Sequence, residues 1–155
     1  MRRKAELWPL PEERQSSHDV TQEASSRKRR ITRNNRWAEL KHKRILVVED
    51  EPMQALHLAT MIEEFGAEVA GIATSVQAAL AEISVTSFDC ATLDLNLHGF
   101  FSLGMVKGLR DMNIPFVVCT AYWEISDCLE DIPVIKKPVT EEALAIALLK
   151  AMKGR

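Results

Sequence analysis

At 155 residues the chain has room for one ordinary domain and not two, and its 46% hydrophobic and 27% charged residues are the proportions of a soluble globular protein. The net charge of −2 conceals a division: residues 1–44 carry 13 Lys/Arg against 6 Asp/Glu, a net of +7, and residues 45–155 carry 7 against 16, a net of −9. No apolar run approaches the length of a membrane span, and Glu6, Pro9, Pro11, Glu12 and Glu13 stand where a signal peptide needs apolar residues, so neither is expected and a cytoplasmic protein is.

In chain order, residues 1–43 read as a basic, disordered tail, with Arg27-Lys28-Arg29-Arg30 opening a run that continues through Arg33, Arg36, Lys41, Lys43 and Arg44. Within it, a short helix around Asn35–His42, anchored by Trp37 and Leu40, is a further expectation. Residues 44–153 then form one domain of about 110 residues, large enough for a real core. Ile45-Leu46-Val47-Val48 is an unbroken apolar run suited to a strand buried on both faces. It stops at Glu49-Asp50-Glu51, and Pro52 fits the first position of a helix whose apolar positions repeat through Ala55, Leu58, Ala59, Ile62 and Phe65 to a stop at Gly66. A strand over Glu68–Ala73 and a helix from about Ser75 to Ile83 follow, capped by Thr74 or Ser75. Cys90–Leu93 is the third strand, ending on Asp94, and a loop around His98-Gly99 leads into a helix near Ser102–Asp111. Pro115–Cys119 is the fourth strand, ending at Thr120, and Tyr122–Asp131 supports only a short or irregular helix. The fifth strand is Pro133–Ile135, and a last helix runs from about Glu141 to Met152 with Thr140 as its cap. Cys90 and Cys119 lie inside apolar runs, and the three cysteines have no metal-ligand spacing; with Cys128 they read as reduced thiols.

Strands alternating with helices imply a doubly wound, five-stranded parallel α/β sheet with helices on both faces. Ligands in such folds bind beyond the carboxyl ends of the strands. The polar residues found there are Glu49 and Asp50 after the first strand, Asp94 after the third, Thr120 after the fourth and Lys137 after the fifth. Alone, each has a plainer reading: a turn or cap for Asp94, a strand-end hydroxyl for Thr120, a solvated charge for Lys137, a helix-start preference for Glu49-Asp50. Their joint placement favours a shared pocket. Clustered carboxylates need a cation, oxygen-only ligands favour a hard ion such as Mg²⁺, and an Asp nucleophile beside a metal, a lysine and a hydroxyl is equipped for phosphoryl transfer.

Four blocks, Arg44–Pro52 (RILVVEDEP), Phe88–Leu97 (FDCATLDLNL), Ile114–Ala121 (IPFVVCTA) and Val134–Pro138 (VIKKP), resemble the motifs of response-regulator receivers, in order and spacing over about residues 43–153. The resemblance implies the flavodoxin-like, CheY-like (βα)5 receiver fold, Mg²⁺, and phosphoryl transfer from a histidine kinase or histidine phosphotransfer protein. By position it makes Asp94 the phosphoacceptor and Glu49 and Asp50 the acidic pair. Asn96 supplies a backbone carbonyl to the metal, Thr120 is the switch hydroxyl, Ala121 leaves room for the phosphoryl group, and Lys137 is the conserved-type lysine. Typical receivers carry Phe or Tyr where this chain has Val134, so the resemblance does not carry over the usual threonine-to-aromatic coupling; Tyr122 either takes over part of that role or only shields the acyl phosphate from water. Pro115–Tyr122 (PFVVCTAY) is similar to a receiver subgroup that reads Phe-Ala-Thr-Gly after its fourth strand and also lacks the switch aromatic; Ala121 departs from that pattern.

The expected function is a single-domain response regulator that catalyses nothing beyond its own phosphorylation and dephosphorylation. It would act through an unknown downstream protein or as a phosphate sink. The alternatives are a phosphorylation-independent scaffold with the same fold, or nucleic-acid binding through the tail. No DNA-binding motif accompanies the tail, and a disordered tail or a chain start set too far upstream is the preferred explanation of it.

Overall fold

The computed structural model describes residues 36–122 and 129–154. Strands β1 (Arg44–Val48), β2 (Glu68–Ala73), β3 (Cys90–Asp94), β4 (Phe116–Thr120) and β5 (Val134–Lys136) form one parallel sheet in the order β2-β1-β3-β4-β5. Helices α1 (Pro52–Glu64), α2 (Val76–Val85), α3 (Leu103–Asp111) and α4 (Glu141–Lys153) connect or follow them. The chain leaves β1 for one sheet edge and returns to β3 on its other side, so the order reverses between β1 and β3. That reversal opens a crevice at their carboxyl ends.

The apolar runs become strands because both sheet faces are covered. Alternate residues point to opposite sides. Ile45, Val47, Cys90, Val117 and Cys119 pack with α1 and α4, while Leu46, Val48, Ala91, Leu93 and Val118 pack with α2 and α3. A strand half exposed to water would show polar alternation; here β3 and β4 are buried at every position.

Local signals end each element as their chemistry requires. Pro52 opens α1, and Gly66, at φ +76°, closes it in the left-handed region, with Ala67 N–H on the Ile62 carbonyl and Gly66 N–H on that of Glu63. Asn113, at φ +55°, ends α3 in the same way. Ser75 caps α2 by accepting from Ala78 N–H at 3.1 Å, and Thr140 caps α4 by accepting from Ala143 N–H at 3.3 Å. The loop expected at His98-Gly99 is a hairpin: Asn96–Leu97 pairs antiparallel with Phe100–Phe101. Its two turn residues both have positive φ, +53° and +81°, the backbone a two-residue type I′ turn demands.

Of the helix expected at Asn35–His42, Asn35 lies outside the described residues, Arg36 is helical and Ala38–Leu40 forms a 3₁₀ turn, stopped by His42 at φ +63°. Its anchors are Trp37 and Leu40, both in the α1/α4 core, with the Trp37 ring edge-on to Phe65 at 6.3 Å. An ion pair from Lys153 to Glu39 at 3.0 Å and another between Arg36 and Glu142 tie the segment to α4. The basic tail up to residue 35, Cys128, and most of the weak helix expected over Tyr122–Asp131 lie outside the described residues; Leu129–Ile132 forms a turn, with Ile132 N–H on the Leu129 carbonyl at 3.0 Å.

One core position is chemically mismatched. Thr92, fully buried on β3 between Val47 and Val117, has a hydroxyl with no hydrogen-bond partner. An unpaired buried hydroxyl costs free energy that an isosteric methyl does not. Thr92→Val is therefore expected to raise unfolding stability by about 1 kcal/mol, read as a higher midpoint in urea at unchanged slope. A lower midpoint would show that the hydroxyl is satisfied in solution.

Candidate acidic site at the strand ends

Strand β1 runs straight into Glu49, whose N–H continues the ladder by donating to the Ala73 carbonyl at 3.0 Å. Asp94 is the last residue of β3, in register with Cys119 on β4. Parallel pairing therefore brings residues 45 positions apart in sequence to the same sheet edge. One carboxylate oxygen from each of Glu49, Asp50 and Asp94 lies within 4.8 Å of the others. Glu49 is 1% and Asp94 7% exposed, so little water screens their charges.

Backbone amides aim the three carboxylates. Asn96 N–H donates to Asp94 Oδ1 at 2.9 Å, His98 N–H to Asp50 Oδ2 at 2.7 Å and Glu51 N–H to Glu49 Oε1 at 3.2 Å. Lys137, following β5, supplies the cation: its Nζ is 2.6 Å from Asp94 Oδ2 and 2.8 Å from Glu49 Oε2. Burial raises the Glu49 pKa, against the lowering effect of the Lys137 hydrogen bond. Burial alone would lower Lys137, but its hydrogen bonds to Asp94 and Glu49 outweigh that and hold the ammonium above its ordinary range. Cys119 sits on the neighbouring strand, fully buried, and its thiol is pushed up to about 12 by burial.

One ammonium against three carboxylates leaves the cluster short of positive charge, and its donors are all oxygen. That donor set fits a hard divalent cation better than a soft one. The Oδ1 atom of Asn96, the residue expected to border the metal, is also buried without a partner.

The hydroxyl side of the site is built around Thr120 and Tyr122. Thr120 is fully buried, and its Oγ1 accepts the Tyr122 N–H at 3.1 Å. Asn96 Nδ2 donates to the Tyr122 hydroxyl at 2.9 Å, and the Tyr122 ring lies 5.0 Å from Phe101. Ala121 is exposed and, with Glu49, His57, Lys137 and Pro138, lines a cleft of about 460 Å³. Val134 is placed differently. It pairs with Val118 and packs into the α2/α3 core, away from the carboxylates.

The expected residues Glu49, Asp50, Asp94, Asn96, Thr120, Ala121, Tyr122 and Lys137 thus meet at one sheet edge. Sequence reasoning passed over three others. His98 donates its N–H to Asp50 Oδ2 and also holds its Nδ1 3.4 Å from that oxygen; in the sequence it stood only as a loop residue. Phe101, against the Tyr122 ring, was not singled out in the sequence. Ser102 read as a helix start, yet its hydroxyl donates toward the Asp94 and Leu95 carbonyls, each 3.0 Å away.

The family described as the response regulator receiver domain matches residues 45–148. The two-component response regulator PhoP of Pseudomonas aeruginosa is 31% identical over 121 residues, covering 72% of this chain; the chain spans only about half of that relative, 53% of its length. The chemotaxis protein CheY of Thermotoga maritima is 28% identical over 118 residues, covering 72% of this chain and 98% of its own. Among solved structures, SdrG from Sphingomonas melonis Fr1 superposes with a TM-score of 0.64 at 34% identity, over 71% of this chain and 96% of that one.

Proposed function

The chain belongs to the response-regulator receiver family, and on that premise we propose that Asp94 is its phosphoacceptor, with Glu49 and Asp50 completing a Mg²⁺ site. The observation that carries this is the bridging position of Lys137 between Asp94 and Glu49, inside a three-carboxylate cluster at the topological reversal. An Asp94 oxygen attacks the phosphorus of a phosphohistidine or small acyl phosphate; the donor's P–N or P–O bond breaks, its electron pair leaves with the donor, and an acyl phosphate remains on the protein. Glu49, Asp50, Asp94 and the Asn96 carbonyl would hold Mg²⁺, which would supply charge neutralisation on the transferring oxygens. Lys137 offsets further charge on those oxygens, and Thr120 has a proton to donate to one of them while its oxygen accepts from Tyr122. Exposed, small Ala121 leaves space for the group.

Receivers of this family signal rather than turn over substrate, and they take phosphoryl groups from histidine kinases or phosphotransfer proteins. For this chain such a donor, a downstream protein partner and a cytoplasmic setting follow as part of the same reading. No helix among the described residues is long and apolar enough to cross a membrane. Lacking a ring at Val134, this receiver would pass a movement of Thr120 to Tyr122, whose N–H it already holds.

Incubation with Mg²⁺ and acetyl phosphate is expected to give an acid-stable, base-labile label. Beryllofluoride with Mg²⁺ should move the Asn96, Thr120 and Tyr122 amide resonances. A spectrum that stays still at saturating beryllofluoride would sink the proposal in favour of a phosphorylation-independent scaffold.

A further inference from the structure

Ser102 occupies the N-cap of α3, where a serine ordinarily turns its oxygen onto an amide of the first helical turn. Ser75 and Thr140 do so in this chain. Ser102 does not. Its carbonyl accepts the Met105 and Val106 amides at 2.9 and 3.1 Å, but its side chain makes no cap bond. The hydroxyl is turned back into the protein, on a residue 3% exposed, and lies 3.0 Å from the carbonyl oxygens of both Asp94 and Leu95. A hydroxyl has one proton, so the two carbonyls share it. Ser102 N–H adds a 2.7 Å bond to the Leu95 carbonyl.

These bonds clamp the stretch where the chain leaves the sheet. Beyond the Asp94–Cys119 pair no strand of the parallel sheet holds the backbone; the chain passes through Leu95 into the short hairpin, and the peptide of the Leu95 carbonyl carries the Asn96 N–H that aims Asp94 Oδ1. We propose that Ser102 is a positioning residue for the phosphoacceptor: by fixing the Asp94 and Leu95 peptides, it sets the direction of the Asn96 amide and hence the face that the Asp94 carboxylate turns to the incoming phosphorus. The role rests on the reading of Asp94 as phosphoacceptor. Small displacements of a reacting atom carry large rate effects.

The test uses the full chain with Ser102→Ala and Ser102→Thr, reading melting temperature, the Asn96 amide shift and the labelling rate with acetyl phosphate at fixed Mg²⁺. The alanine variant is expected to fold, to move the Asn96 amide away from its carboxylate-bonded position, and to label roughly tenfold more slowly. Ser102→Thr, which keeps the hydroxyl, should recover both signals. An alanine variant with a lowered melting temperature but an unmoved Asn96 amide and a wild-type rate would overturn the proposal, leaving Ser102 only to close the hairpin. Should alanine prevent folding, Ser102→Cys keeps the volume with a weaker donor and carries the same expected and refuting results. Wild-type protein that takes no label would instead count against Asp94 as acceptor; the Asn96 shift, which needs no phosphoryl transfer, would still decide on Ser102.

Discussion

Asp94→Asn is expected to reduce labelling by acetyl phosphate to background while leaving a folded protein. The amide oxygen is a poor nucleophile, and no acyl phosphate can form on it. The fold should stand because the replacement is nearly isosteric. Lys137 keeps its 2.8 Å bond to Glu49, and the Asn96 N–H keeps an oxygen to donate to. The change also removes one of three mutually repelling carboxylates, so the metal-free protein should be no less stable than wild type, and Mg²⁺ should bind more weakly. Label that persists in a folded Asp94→Asn variant would place the acceptor elsewhere, Asp50 being the next carboxylate to test.

Lys137→Met carries the largest expected stability loss. The substitution keeps the aliphatic length but leaves Glu49 and Asp94, 1% and 9% exposed at their side chains, as adjacent anions without a counterion. Breaking such a buried pair from one side costs about 3 kcal/mol, the low end of the usual range because the lysine retains some contact with water. Urea unfolding in metal-free buffer at pH 7 measures it. Two further readouts separate an electrostatic origin from lost packing. Mg²⁺ should restore part of the stability, since a divalent ion can replace the ammonium. Acidification from neutral should also narrow the deficit. Burial already raises Glu49 above the unfolded value, so the folded state takes up that proton first; its contribution is present at low pH and is lost as pH rises through the folded pKa. Removing Lys137 removes the bond that opposes this rise. A deficit that ignores both Mg²⁺ and pH would assign the lysine a packing role instead.

The strands were legible because burial on both faces forces unbroken apolar runs, and Ile45–Val48 and Phe116–Cys119 can hardly be read otherwise. The principal site carboxylates and Lys137 were legible for a related reason: a polar residue that abruptly ends such a run falls at a sheet edge whose location the topology dictates. What escaped was local geometry carried by the backbone. The hairpin at Asn96–Phe101 has two residues per strand, too few for any periodicity; the His98-Gly99 loop was legible, but its two positive φ values, which make it a hairpin turn, were not. The bond from Asn96 to the Tyr122 hydroxyl spans 26 positions and exists because β3 and β4 are neighbours. Ser102 carries the residue type of a cap and makes different bonds, a choice set by nearby tertiary acceptors rather than by sequence. Trp37 and Leu40 stood out as anchors, but the segment between them forms one turn because His42 enters the left-handed region where it meets Gly66, to whose carbonyl its N–H donates at 2.8 Å.

The thiols of Cys90 and Cys119 have a practical use. Both are fully buried in the sheet, one at the start of β3 and the other in register with Asp94 on β4. Fully buried, with its thiol pushed up to about 12 by burial, Cys119 is expected to escape alkylating reagents until the strands part. Once Cys128 is replaced, the alkylation rate becomes a clock for how often the centre of the sheet breathes. Because Cys119 borders the acceptor, the slowing of that clock on loading with beryllofluoride would report how much the occupied site tightens the molecule around it.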